Sequence, residues 1–369
     1  MGMPGVLRLY FGESNLPTPD FIKDAASEAL AAGHTFYTEN AGTPSLRRAI
    51  SRYTGRLHVV EIDARTGVMV TASGVQALNL ALRCLVDPSD EALVLTPAWP
   101  NGSSILQMAH ATVRQVPQPL RGDRYAIDFD TLEEAVTPRT RVLLYASPSN
   151  PLGWVATEAD QDRLLEFVRR HRLWLVADEV YERLYYAEAL VAPSILRKAT
   201  REDPVIVIQS FSKAWCMTGW RLGWMVGPRD FIARATELNE FVVSCAAGFA
   251  QKAGEIALEH GEDCIRSMIA LLRVNRDYCV AALRDMPGVN IPIPDGAFYL
   301  FPRVAAAADS FTFCKNLLME AKVGVAPGVA FGAGGEGSVR ICYASDRRTL
   351  EQAMSRLRAF LAGIARPLT

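Results

Sequence analysis

Lys213 sits in SFSKAWCMTGWRLG, residues 210–223, just past an apolar β-rich run. The hydroxyls of Ser210 and Ser212 precede it and the guanidinium of Arg221 follows eight residues on. An amine beside phosphate-binding groups is a candidate attachment point for a phosphorylated carbonyl compound, although the same spacing also suits a lysine and an arginine on a helix surface. Asp178 closes the run LWLVAD, where a carboxylate is costly unless it is paired or hydrogen-bonded. Pyridoxal phosphate would supply such a pairing: an aspartate beside its ring nitrogen keeps the pyridinium protonated, and the protonated ring draws electrons from a substrate's α-carbon. Taken alone, Asp178 would serve equally well as a helix cap. Asn150, in SPSNPLG, and Tyr181, three residues beyond Asp178, are donors suited to the phenolate oxygen at the cofactor's 3-position, and each by itself is also ordinary turn chemistry. Arg340, inside the apolar run VRICY, reads as a buried counter-charge.

The elements that must position these groups are legible between about residues 67 and 227. The runs GVMVTA, EALVLT, RVLLYAS, LWLVAD, VIVIQS and LGWMVG alternate there with amphipathic segments. This is the pattern of an α/β fold, a mostly parallel sheet with helices on both faces. Ligands of such sheets sit beyond the carboxyl ends of the strands. That rule selects Ser73, Gly74, Trp99, Asn150, Asp178, Tyr181 and the stretch from Ser210 to Lys213. Residues 229–285 read as long helix, and PGVNIPIPDGAFYLF then opens a smaller α+β segment. We expect a large domain over 34–259 and a small one from 260–369 together with 1–33, whose one convincing helix, about 19–32, is too little for a core of its own. GAGGEG at 332–337 is a turn and not a phosphate loop, since no GK[ST] follows.

Composition narrows the function. The chain has 369 residues, 50% of them hydrophobic and 21% charged, with a formal net charge of −1, which disfavours disorder and a nucleic-acid partner. No stretch approaches the ~18 apolar residues of a membrane span, and the first residues lack a secretory pattern. A soluble, cytoplasmic protein is expected. The seven cysteines are scattered without a CxxC pair and the five histidines without HExxH, so neither disulfides nor a metal is expected.

TASGVQALNLAL, SPSNPLG, ADEVYERL, SFSKAWCMTGWRLGW, DGAFYLF and VRICYA occur in the order and approximate spacing of the aspartate-aminotransferase-like, fold-type I pyridoxal-phosphate enzymes, and they span nearly the whole chain. The resemblance implies a seven-stranded, mostly parallel sheet in the large domain. It implies that Lys213 is the Schiff-base lysine that also moves the proton between Cα and C4′. Asp178 resembles the partner of the pyridine nitrogen, Asn150 and Tyr181 the donors to O3′, and Trp99 the aromatic stacked on the ring. The phosphate would lie on Ser73, Gly74 and Val75 at a helix start, which suits a dianion, with Ser210, Ser212 and Arg221 beside it. Arg340 is similar to the arginine that grips the substrate α-carboxylate through a bidentate fork. Gly12 looks like the glycine whose backbone approaches the substrate, and Asn150 and Trp99 border the substrate as well. Tyr37 resembles the tyrosine that reaches the neighbouring subunit's phosphate, which implies a homodimer with shared sites.

Two positions depart from the pattern. Val75 stands where bacterial aspartate-type relatives often carry lysine, so an acidic donor is disfavoured. Cys216 occupies a position where the family favours a small residue. The expected reaction is transfer of an α-amino group from an L-amino acid, neutral or aromatic/aliphatic, to a 2-oxo acid. A carbon–sulfur or related lyase on the same fold is the alternative, and a non-catalytic cofactor-binding regulator is more remote, since no basic arm accompanies the segment.

Overall fold

The computed structural model describes residues 3–189 and 191–364. The last residues of the smaller expected domain, 365–369, and the first two lie outside the described residues.

Seven strands form the main sheet: β1 Val68–Thr71, β2 Glu91–Thr96, β3 Thr112–Pro117, β4 Thr140–Ala146, β5 Trp174–Asp178, β6 Val205–Ser210 and β7 Gly223–Val226. Their order is β1-β7-β6-β5-β4-β2-β3. All neighbours run parallel except β7, which is antiparallel to both β1 and β6. The six apolar runs of the sequence are six of these strands. The seventh, β3, escaped the hydrophobic pattern because TVRQVP lies at the sheet edge with most of its side chains exposed.

Along every strand of the sheet but β3 the side chains alternate between two cores. Val68, Leu93, Leu143, Leu175, Val207 and Trp224 enter one, while Met69, Val94, Val142, Val176, Ile206 and Met225 enter the other. Both faces are therefore covered, which is why the strands read as unbroken apolar runs.

The stretch expected as one long helix is three: Arg229–Glu240, Gly248–His260 and Glu262–Arg284. The first break falls at the β-branched pair Val242-Val243 and at Ser244, whose φ is 63°. There the Asn239 side chain donates to the backbone oxygens of Ser244 and Asn40.

A third core lies in the C-terminal part of the chain, around Leu272, Phe298, Leu317, Ile341 and Leu357. Its three-stranded sheet places Val339–Cys342 between Tyr299–Leu300 and Ala326–Pro327, with Arg340 opposite Ala326. Residues 3–33 divide between the cores. Leu7–Arg8 pairs in parallel with Val323–Gly324 of the C-terminal part. Helix α1, Asp20–Ala31, instead packs on Gly248–His260, because Ile22, Ala26 and Ala29 form one apolar stripe and the first two of these enter the core of the main sheet. Among the described residues no helix is long and apolar enough to cross a membrane, and no group of three or more His, Cys, Asp or Glu side chains is placed to hold a metal.

The insertion of β7 brings Thr71, Gly223 and Ser210 into one register row. A Cβ on Gly223 would stand 2.5 Å from the Gly74 nitrogen and 2.7 Å from the Ser73 carbonyl carbon. Gly223→Ala is expected to cost about 1–3 kcal/mol through this overlap and to weaken cofactor binding by pushing the 73–74 turn outward. Thermal unfolding and fluorescence titration with pyridoxal phosphate would check both.

Candidate active site

A cavity of about 360 Å³ opens at the carboxyl ends of β4, β5 and β6. It gathers Gly12, Gly74, Val75, Trp99, Asn150, Asp178, Tyr181, Ser210, Ser212, Lys213, Arg221 and Arg340, residues drawn from seven separate stretches of the chain.

The strand ends explain the convergence. Ala146 and Asp178 are register partners at the tips of β4 and β5, and β6 ends at Ser210, which caps the short helix Phe211–Ala214 that carries Lys213. The Ser210 and Ser212 hydroxyls lie 2.9 Å apart. Helix α3, Gly74–Leu85, starts at the same edge, its first turn capped by the Ser73 hydroxyl accepting from the Gln76 amide at 3.2 Å. Ser73 holds a φ of 115°, a conformation rare for a side-chain-bearing residue. Its hydroxyl is used as that cap, and the residue borders a neighbouring depression with Val75 and Arg221 and not the cavity itself. Arg221, also left-handed at φ 52° and exposed, donates to the Thr218 carbonyl and lines both recesses.

The turn that carries Asp178 and Tyr181 is anchored from behind. Glu179 accepts from the Ile195 amide at 3.0 Å, and burial pushes its carboxyl up to about 7. Glu182 lies 2.8 Å from His58, whose other ring nitrogen accepts from Arg197 at 3.3 Å. Toward the cavity, burial raises Asp178 to about 6 against two opposing influences, the Val180 amide at 3.3 Å and the charge of Lys213. The Tyr181 and Tyr299 hydroxyls share a 2.6 Å hydrogen bond, and burial raises both phenols.

Lys213 donates to the Gly12 carbonyl at 2.7 Å, and burial depresses its amine to about 8. A Cβ at Gly12 would meet the Tyr299 hydroxyl at 2.5 Å, so only glycine lets the backbone come this close. Arg340 is 6% exposed, donates to Asn150 Oδ1 at 2.8 Å and to the Tyr10 carbonyl at 2.6 Å, and leaves its buried Nε without a partner. Its guanidinium also lies 4.5 Å from the Tyr299 ring centre.

Two residues named from the sequence do not line the cavity, Ser73 and Tyr37. Tyr37 is 88% exposed. Phe11, Glu13, Thr218 and Tyr299 line it without having been singled out. Each lies within or beside a motif that drew attention, but their roles come from contacts with distant segments that local sequence does not encode.

The family model for aminotransferase class I and II matches residues 5–357. The chain is 34% identical over 365 residues to an aspartate aminotransferase of Pyrococcus horikoshii, covering 98% of this chain and 92% of that protein. It is 32% identical over 363 residues to aromatic-amino-acid aminotransferase 2 of Thermococcus litoralis, with 98% and 92% covered. The solved structure of an aromatic aminotransferase from Pyrococcus horikoshii superposes with a TM-score of 0.93 at 34% identity, covering 98% of this chain and 97% of that one. The chain belongs to the class I and II aminotransferases, enzymes of the fold-type I group that work with pyridoxal phosphate.

The residues present fit that cofactor. Asp178 is a desolvated carboxylate whose one hydrogen bond is to a backbone amide, and it suits a protonated ring nitrogen. The start of α3 with Gly74, the paired hydroxyls of Ser210 and Ser212 and the exposed Arg221 suit a phosphate. Lys213 is a depressed amine in reach of the same space.

Lys213→Ala is expected to abolish turnover and the visible absorbance of the cofactor-loaded protein; a variant retaining both would remove Lys213 from its role. Attack on the cofactor's aldehyde requires the neutral amine, whose fraction grows as pH rises through about 8. Capture of pyridoxal phosphate by the apoprotein should therefore level off above that pH and fall roughly 100-fold below that plateau by pH 6, as stopped-flow absorbance would show.

Proposed function

We propose that this aminotransferase takes the α-amino group of an L-amino acid with a neutral, aromatic or aliphatic side chain and passes it to a 2-oxo acid. The relatives' names include both aspartate and aromatic aminotransferases, so the choice of donor rests on the cavity itself. The observation that carries it is the cavity's stock of cations. Its basic residues among those described are Lys213, Arg221 and Arg340. The first is required for the chemistry, the second suits the phosphate, and the third suits the α-carboxylate. Val75, Trp99 and Phe11 lie in the same wall, and none of these offers a counter-charge to an acidic side chain.

Bound pyridoxal phosphate supplies the aldehyde that takes up the amino group and the protonated ring that stabilises negative charge at the α-carbon. The chain's own residues do the rest. Arg340, already held by Asn150 and the Tyr10 carbonyl, grips the α-carboxylate without having to reorganise. With its Oδ1 committed to Arg340, Asn150 has its amide N–H groups to donate, and Tyr181 donates beside it. Asp178 keeps the ring nitrogen protonated. Lys213 would move the proton between the substrate Cα and C4′, and its depressed basicity lets it accept and return that proton near neutral pH. Tyr37, exposed on the single chain, is proposed to complete a partner subunit's phosphate site in a homodimer.

Adding single L-amino acids to the loaded enzyme should convert the cofactor to its amine form with phenylalanine, leucine or a similar donor, and weakly with aspartate. Persistence of the starting spectrum with release of ammonia or a thiol would point to a lyase instead. Val75→Lys should raise kcat/KM for aspartate relative to phenylalanine by roughly tenfold, as steady-state kinetics on both donors would show.

A further inference from the structure

Lys213 borders two cavities. Beside the one that gathers the candidate site, a second of about 620 Å³ lies between Glu13–Thr18, helix α1 and the 216–220 turn. Glu13, Ser212, Lys213 and Thr218 form part of the wall of both. The polar groups around the second cavity are already engaged. The Glu13 carboxylate accepts from the Thr218 hydroxyl, and Lys23 pairs with Asp20 at 2.5 Å. The Trp220 indole N–H donates to the Thr18 hydroxyl at 3.0 Å, which itself donates to the Cys216 carbonyl at 2.6 Å. What remains is apolar: Leu16, Ala26, Leu30, Trp220, Phe249 and Phe298. Leu30 is 47% exposed, a large aliphatic side chain with room beside it.

Arg340 borders the first cavity and not the second. A substrate whose nitrogen replaces Lys213 and whose carboxylate lies on Arg340 thus has its third substituent to place, and the second cavity adjoins the same lysine. We propose that this cavity is the side-chain pocket of the enzyme, taking a large aromatic or aliphatic group, with Leu16, Ser27 and Leu30 as specificity-determining residues. The proposal rests on the reading that the donor is neutral. Apolar walls whose polar atoms are already satisfied reward an apolar occupant and penalise a charged one.

The test uses the cofactor-loaded enzyme with alanine, leucine, phenylalanine and aspartate as donors. Ser27→Phe fills the cavity from an exposed position of α1, and Leu30→Glu sets a carboxylate in its wall, so either variant alone gives a reading if the other fails to fold. The expected result is a fall of about 10- to 100-fold in the phenylalanine-to-alanine ratio of kcat/KM, with the cofactor absorbance retained. A wild-type enzyme that prefers phenylalanine while both variants keep its ratio within about twofold would overturn the pocket alone. A wild-type enzyme that turns over acidic donors only would overturn both the pocket and the donor assignment beneath it.

Discussion

The site depends on a primary amine kept out of water at the meeting of three chain segments. Lys213 comes from the end of β6, its hydrogen-bond acceptor is the carbonyl of Gly12, and the surface that forces residue 12 to be glycine is Tyr299. An ammonium in this position is disfavoured by desolvation and an amine is tolerated, which yields a group near 8 instead of the usual lysine range. A carboxylate recessed by the same desolvation, Asp178, lies near enough for each to feel the other's charge. Two groups displaced toward neutrality from opposite directions are suited to proton transfer and weakly suited to a structural ion pair.

The rest of the architecture keeps that arrangement from relaxing. The turn beyond β5 faces the cavity with Asp178 and Tyr181 while Glu179 and Glu182 fasten it to Ile195 and His58. Arg340 is fixed by an asparagine from the main-sheet side and a carbonyl from the N-terminal segment. Movement of the C-terminal part relative to the main sheet must therefore pass through the bonds of Arg340, which couples the cavity wall to the relation between the two cores.

Much of this was legible in the sequence because both faces of the sheet are covered. Burial turned six strands into apolar runs, and a parallel sheet places its chemistry just past such runs, so Asn150, Asp178 and Lys213 stood where the rule directed. The edge strand β3 was illegible for the converse reason: its side chains meet water, and its pairing with β2 carries no hydrophobic signature. The long helix broke at a left-handed serine, Ser244, whose carbonyl is held by the Asn239 amide, and that amide is itself fixed by the Asn40 carbonyl some two hundred residues away, a contact no local pattern encodes. Tyr299 and Glu13 escaped because each acquires its part through a contact more than a hundred residues away, with Tyr181 and Thr218 respectively. The helix α1 was visible, but which core it would join depended on the shape of Gly248–His260 and not on its own stripe.

The antiparallel strand β7 has a consequence for how the molecule comes into being. It is the last strand of the main sheet to leave the ribosome, yet it occupies an interior place between the first and the sixth. Until it inserts, β1 has no neighbour in the sheet, and the row of Thr71, Gly223 and Ser210 does not exist. A nascent chain can therefore pair β2 to β6 early, but it must hold a slot open across some hundred and fifty residues of intervening sequence before the edge that borders the cavity is built. A truncated product that stops short of residue 226 has most of the sheet and lacks that edge.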